Sequence, residues 1–118
     1  MKVLRDKEAS KSQLQSNCVV RDYGTEEDVN YARVSITQGD YPNDHYAVNA
    51  TVTLTVCVES GGCRIAVKGG DVYELRSGDV VSIPPMTPYR YVQCQDLNAG
   101  LISSHPAWTS DQYSEVSL

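Results

Sequence analysis

Two histidines and four cysteines are the side chains in this sequence best suited to acid–base, metal or thiol chemistry. His45 stands in the turn-like stretch DYPNDHY next to Asp44, and His105 follows the run LISS. An imidazole beside a carboxylate can act as a general base or join a metal site, so both histidines are rim candidates for a site. The plainer alternative is a pair of exposed or capping imidazoles. Cys18, Cys57, Cys63 and Cys94 form no C-x-x-C pair. Such spacing fits buried or half-buried thiols in a reducing compartment. Cys57 and Cys63 flank ESGG, which reads as a hairpin turn that would bring them close.

A third group lies in SGDVVSIPPMTPYRYVQC, where a strand meets a proline corner and leaves through Tyr89, Tyr91 and Gln93. These three share one parity, so on a strand they share one face. Two phenols and an amide on one wall can stack on a ring and fix its orientation by hydrogen bonds.

The elements that must hold these groups are short strands. From Cys18 onward, Gly24, Gly39, Gly61-Gly62, Gly69-Gly70, Gly78 and the Pro84-Pro85/Pro88 cluster punctuate β-branched runs, the pattern of an all-β sandwich or barrel. In YAVNATVTLTVCV, Val48, Ala50, Val52, Leu54, Val56 and Val58 share a parity, while Asn49, Thr51, Thr53 and Thr55 hold the other. That period of two predicts one long strand with a buried face. CRIAV, VYEL, VVSI, YRYVQC and LNAGLISS read as further strands, joined by the turns KGGD and RSGD and by the proline corner. TEEDVNYA reads as a polar turn. Residues 1–17 are polar without clear period and read as a flexible arm, or as a strand ordered against a partner. Residues 18–118 read as one domain, with Trp108 and Tyr113 of the polar tail lying back on it.

At 118 residues the chain can bury a core without staples. Ten Lys and Arg against fifteen Asp and Glu give a net charge of −5, with no basic run. Nucleic acid and anionic membrane are therefore not expected as partners. The first residues carry no apolar signal core, and no window approaches the ~20 apolar residues of a membrane helix. A soluble cytoplasmic protein is the expectation.

With strands and corner in place, the chain resembles a small single-domain cupin, a jelly-roll barrel of the RmlC-like type. The second cupin motif, G-x5-P-x-G-x2-H-x3-N, is met in spacing by Gly78, Pro84, Met86, Tyr89 and Gln93. Gly and Pro are kept; the second Gly, the His and the Asn are replaced. VESGGCRIAVKGGDVYELRSGD resembles the hairpin before that motif, and LISSHPAW the last strand and tail, so the likeness spans about residues 34–110. The first motif, G-x5-H-x-H-x3,4-E-x6-G, finds no match. Anchored at Gly61 it falls on Leu54, Ala50 and Val48, and anchored at Gly62 on Thr55, Thr51 and Asn49. Starting from Gly39 and His45, it reaches Ala47 and Thr51 only with an insertion. No register yields two His and a Glu, so neither a metal site nor a cofactor is expected.

The resemblance implies an all-β cupin-type jelly-roll barrel with Tyr46, Val48, Ala50, Leu54, Met86, Tyr89, Tyr91 and Gln93 facing its interior. Met86 would narrow the mouth, and Arg90, Val92 and Cys94 would lie outside. Those interior residues either fill the barrel or line a pocket for a small organic ligand, sugar-like or aromatic. The resemblance also implies a homodimer. The function expected is a metal-independent small-molecule-binding module, in the role of a sensor or accessory domain. The alternatives are a sugar isomerase, epimerase or dioxygenase-like enzyme with atypical residues, and a structural dimerisation domain.

Overall fold

The structure is a computed structural model that describes residues 1–118. Nine strands carry nearly all of it: β1 (Ser10–Gln15), β2 (Cys18–Glu26), β3 (Val29–Tyr41), β4 (His45–Asn49), β5 (Thr53–Val67), β6 (Val72–Arg76), β7 (Val80–Ile83), β8 (Tyr89–Ser104) and β9 (Tyr113–Ser117). Short 3₁₀ turns at Asp6–Glu8 and Ser110–Gln112 are the only helical pieces. Every strand pair is antiparallel.

The long strand β8 is the spine. It pairs along one edge with β3 and along the other with β5, and at Tyr89 it touches Ala47 of β4. Beyond β3 come β2 and then β1, while the far edge of β5 carries β7 on one half and β6 on the other. β4 carries β9 on its free side. The right-handed twist of long antiparallel strands curls this sheet on itself.

One face of the curled sheet is apolar because the registers line up alternate residues. A row runs Ser12–Val20–Val34–Ala99–Val58, and the next runs Ser10–Asp22–Ala32–Leu101–Val56. A third runs Asn30–Ser103–Leu54–Ile83. Val34, Val56, Ile36, Ile65 and Leu97 are fully buried in the resulting core. Burying each such aliphatic side chain is worth about 1.5–3 kcal/mol.

The turns KGGD and RSGD form as expected, with Gly69 and Gly78 at φ 68 and 92. Of TEEDVNYA only Glu27 and Asp28 form the β2–β3 hairpin turn; the flanking residues belong to the two strands. Within residues 1–17, Ser10–Gln15 pairs with β2 of the same chain. Three expectations need correction. ESGG is not a hairpin turn: β5 runs through it from Thr53 to Val67, so Cys57 and Cys63 lie on one strand. Bulges absorb the glycines, and Gly61 at φ 71 passes so close to β8 that a Cβ there would overlap the Asp96 carbonyl oxygen.

The second correction concerns YAVNATVTLTVCV, which is two strands with a bend at Ala50–Thr51. Ala50 N–H donates to the Gln112 carbonyl, Thr51 N–H to Gln112 Oε1, and the Asn49 carbonyl accepts from Met86 N–H. These bonds replace ladder bonds, and the inward parity changes across the bend. Val52, Leu54, Val56 and Val58 keep the expected face, while Ala47 joins the core and Asn49 reaches the interior. The third correction is at Gln93, which adopts φ 53 and creates a bulge in β8. Gly39 pairs with Cys94 but Tyr41 with Tyr91, so three steps on β8 answer two on β3. The extra residue reverses parity, placing Cys94 in the core and Gln93 at the surface.

Candidate functional site

Inside the curl lies a cavity of about 260 Å³. One wall is aromatic. Tyr89 and Tyr91, at the start of β8, are 6% and 3% exposed, with rings edge to face at 5.8 Å and 87°. Tyr41, at the end of β3, stacks on Tyr91 at 6.4 Å and 21°. Trp108 and Tyr113 close one end, tilted at 52° with centroids 6.3 Å apart. Such offsets are those that the ring quadrupole favours.

Asn49 ties this wall to the tail. Its Oδ1 accepts from Trp108 Nε1 at 3.2 Å and from Gln112 Nε2 at 2.9 Å, and both Asn49 and Gln112 are buried. The rest of the lining is aliphatic Val20, Ala32, Val34, Leu54 and Leu101 together with a group of polar residues. In that group Asp22 Oδ1 accepts from Gly24 N–H at 2.8 Å and from Asn30 Nδ2 at 3.2 Å. Asn30 Oδ1 in turn accepts from the Thr25 hydroxyl at 2.8 Å. Ser103 lies beside Asn30 in the register, and Ser10 and Ser12 of β1 complete the rim. Asp22 is the one charged residue among those lining the cavity.

Burial controls the phenols. Desolvation of the charged form pushes Tyr89, Tyr91 and Tyr41 well above the usual tyrosine range, and Tyr113 upward as well. For Tyr89, hydrogen bonding with Tyr91 and Asn49 works the other way and is overcome. At neutral pH these groups are hydroxyl donors and acceptors. They are not phenolate bases.

Of the residues expected to face the interior, Leu54, Tyr89 and Tyr91 line the cavity. The other five lie elsewhere. Val48 is buried outside the main core cluster, and Ala50 is exposed in the bend. Tyr46 lies beneath two cations, with Lys68 Nζ and the Arg90 guanidinium each 6.0 Å from its ring centroid. Met86 is 67% exposed at φ 64, so it does not narrow the cavity mouth. Gln93 is turned outward by the bulge.

Neither histidine reaches the cavity. His45 is held between Asp44 Oδ1 at 2.6 Å and Glu115 Oε1 at 3.2 Å, clasping β4 to β9. His105 is exposed, 3.3 Å from Asp28 Oδ2. Tyr41, Asn49, Asp22, Asn30 and Ser103 are site residues that the sequence reading missed. The parity of Cys18, Val20 and Asp22 carried a signal for one of them, since it puts the carboxylate on the apolar face.

The metal that cupins of the usual type hold needs imidazoles and a carboxylate converging on one point. Around this cavity stand phenols, amides, hydroxyls and one carboxylate, without an imidazole. No three His, Cys, Asp or Glu side chains anywhere in the chain are grouped to hold an ion. This donor set does not fit that metal.

A second, open cleft of about 730 Å³ lies at the bulged end of the sheet. Its walls are exposed side chains, among them Gln38, Arg64, Gln93 and Gln95, with Arg76 paired to Glu74 at 2.8 Å. Buried Cys63, Leu75 and Cys94 form its floor. The barrel cavity is the better candidate site, because it combines enclosure, apolar walls and a few fixed polar groups.

Neither a protein-family model nor a curated protein sequence matches this chain. Solved structures do. Pac13 from Streptomyces, described as a unique nucleoside dehydratase and also solved with uridine, is 18% identical, with a TM-score of 0.84 over 100% of this chain and 92% of its own. KdgF from Halomonas sp. is 14% identical, with a TM-score of 0.74 over 93% of this chain and 98% of its own. The polyketide cyclase RemF from Streptomyces resistomycificus is 11% identical, with a TM-score of 0.71 over 100% and 85%. What these neighbours share with the curled sheet described above is its architecture: the chain is an all-β protein with the cupin-type jelly-roll fold.

Proposed function

We propose that this chain is a metal-independent small-molecule-binding cupin domain, and that its barrel cavity takes a compact ring compound bearing hydroxyl groups. The observation that carries this reading is the lining of the cavity, which combines aromatic rings with a few fixed polar groups. Tyr41, Tyr89, Tyr91 and Trp108 offer ring faces and edges, while Asp22, Asn30 and Ser103 offer acceptors and donors in the same cavity. A planar base or aromatic ring would lie against the tyrosines. Sugar-like hydroxyls would donate to Asp22, whose Oδ1 is already fixed by Gly24 and Asn30.

At about 260 Å³ the cavity falls just under the ~300–1,000 Å³ of drug-sized pockets, which favours a ligand of one or two rings. A nucleoside has that build. Uridine in Pac13 supports the choice by fold analogy. Metal independence is supported by the donor set, which lacks any imidazole. The reading as an enzyme working through His45 or His105 has less support, since both lie outside the cavity.

The test is a thermal-shift screen with nucleosides, free sugars and aromatic acids, alongside elemental analysis of the purified chain. A stabilising shift with nucleosides is expected. Tyr89→Ala should abolish it, as should Ala32→Leu, which puts a larger side chain into the cavity lining. No shift with any member of the panel, or stoichiometric transition metal in the protein, would overturn the proposal.

A further inference from the structure

Cys63 and Cys94 have no part in the ligand cavity, yet they sit side by side. Gly62 pairs with Gln95 and Arg64 with Val92, so Cys63 stands opposite the bulge that contains Gln93 and Cys94. Both thiols are free and buried, at 5% and 1% exposure, and both line the floor of the open cleft. The other two cysteines are placed differently. Cys18 is fully buried in the core, and Cys57 is half-buried on β5, pairing across to Gly100 and Val80. Only one pair therefore combines cross-strand adjacency with a shared place in the lining of the open cleft.

We propose that Cys63 and Cys94 are a redox-active dithiol, a site where a peroxide-class oxidant closes a reversible disulfide between β5 and β8. The sulfur of Cys63 attacks one oxygen of hydrogen peroxide, the O–O bond breaks and water leaves, giving a sulfenic acid. The sulfur of Cys94 then attacks the Cys63 sulfur, the S–O bond breaks, a second water leaves and the S–S bond forms. Two thiols lose two electrons in total, and the peroxide gains them.

The two thiols are unequal, which sets Cys63 as the first to react. Hydrogen bonding from Cys94 pulls Cys63 below the usual thiol value, against its own burial. The same interaction, with burial added, pushes Cys94 up; conversion of Cys63 to a neutral sulfenic acid removes the first of these causes before Cys94 attacks. Cys18 is pushed up to about 12 by burial, with no hydrogen bond to oppose it as Cys63 has. Cross-strand neighbours have Cβ atoms roughly 4.5–5.5 Å apart, and a disulfide needs about 3.5–4.5 Å. The bulge at Gln93 is the local irregularity that can take up such a movement.

The full chain is treated with hydrogen peroxide without denaturant, and remaining thiols are then alkylated after unfolding. Intact mass should show a species lighter by two hydrogens, carrying two alkyl groups where the untreated chain carries four. Proteolysis should yield one peptide pair joined through Cys63 and Cys94, and dithiothreitol should restore four alkylations. Cys94→Ser should stop at the sulfenic acid of Cys63, trapped by dimedone, and Cys57→Ser should oxidise as the unaltered chain does. Phenylarsine oxide gives a second readout on the unaltered chain, bridging both sulfurs with loss of water. Four alkylations after peroxide, or a linked peptide containing Cys18 or Cys57, would overturn the proposal. Its outcome is independent of whether the barrel binds a nucleoside.

Discussion

The main-chain N–H of Gln93 donates to Asp40 Oδ1 at 2.9 Å, so a carboxylate on β3 holds the bulge of β8 in place. Asp40 Oδ2 also accepts from Arg90 at 3.0 Å, and Arg90 reaches on to the carbonyls of Pro42 and Asn43. One side chain thus joins the bulge to the corner after β3. Asp40→Ala removes the bulge acceptor and strips the Arg90 guanidinium, 12% exposed, of its counter-charge. A loss of about 2–3 kcal/mol is expected from the urea midpoint. Asp40→Asn should recover part of it, because an amide oxygen can still accept from Gln93.

Asn49 is the equivalent tie for the tail. With both Trp108 and Gln112 donating to its Oδ1, Asn49→Ala leaves a buried amide of Gln112 without that partner. The expected cost is about 1–3 kcal/mol. The chain has a single tryptophan, so its emission reports the change directly: a red shift as the indole loses its anchor. Unchanged emission would mean that Trp108 is held by its contact with Tyr113 alone.

Met86 occupies the place where the cupin motif has its second glycine, and the backbone there still has a glycine conformation, at φ 64. Its side chain is mostly exposed, so little packing offsets the strain. Met86→Gly should be neutral or stabilising by up to about 1 kcal/mol, read as a rise in Tm. A clear loss of stability would show that the methionine side chain makes a contact of value.

The buried phenols make the fold sensitive to alkali. Because desolvation raises Tyr89 and Tyr91 in the folded chain, the unfolded chain releases their protons first as pH rises. Stability is therefore fully present below the ordinary tyrosine value near ~10 and declines above it, toward the raised folded values. Each phenol contributes a slope of about 1.4 kcal/mol per pH unit in that window. Urea midpoints measured across it should fall steeply, and less steeply in Tyr89→Phe. Phenolate absorbance should show these two groups ionising only as the fold opens.

Turn chemistry and alternation made the fold legible in the sequence. Gly69, Gly78 and the Pro84-Pro85 corner mark real turns, and the face shared by Val52, Leu54, Val56 and Val58 is the core face. The site was legible only in part, because parity predicts a face only while the strand stays regular. At Ala50–Thr51 the chain bends, and at Gln93 it gains a residue in the ladder. Each irregularity exchanges inward and outward positions on one side of it, which is how Asn49 and Cys94 came inside while Ala50 and Gln93 went out. Neither event has a Gly or Pro to announce it. The hydrogen bonds that stabilise them come from Gln112 and Asp40, residues distant in sequence.

The outermost strand of the sheet has a bearing on how this molecule is handled. β1 pairs only with β2, its residues are mostly exposed, and Ser10, Ser12 and Leu14 belong to the chamber lining. The front of the chain is thus a removable plank in the wall of the chamber. Trimming it, or burdening it with a purification handle, would change the shape of the compartment whose occupant is being sought.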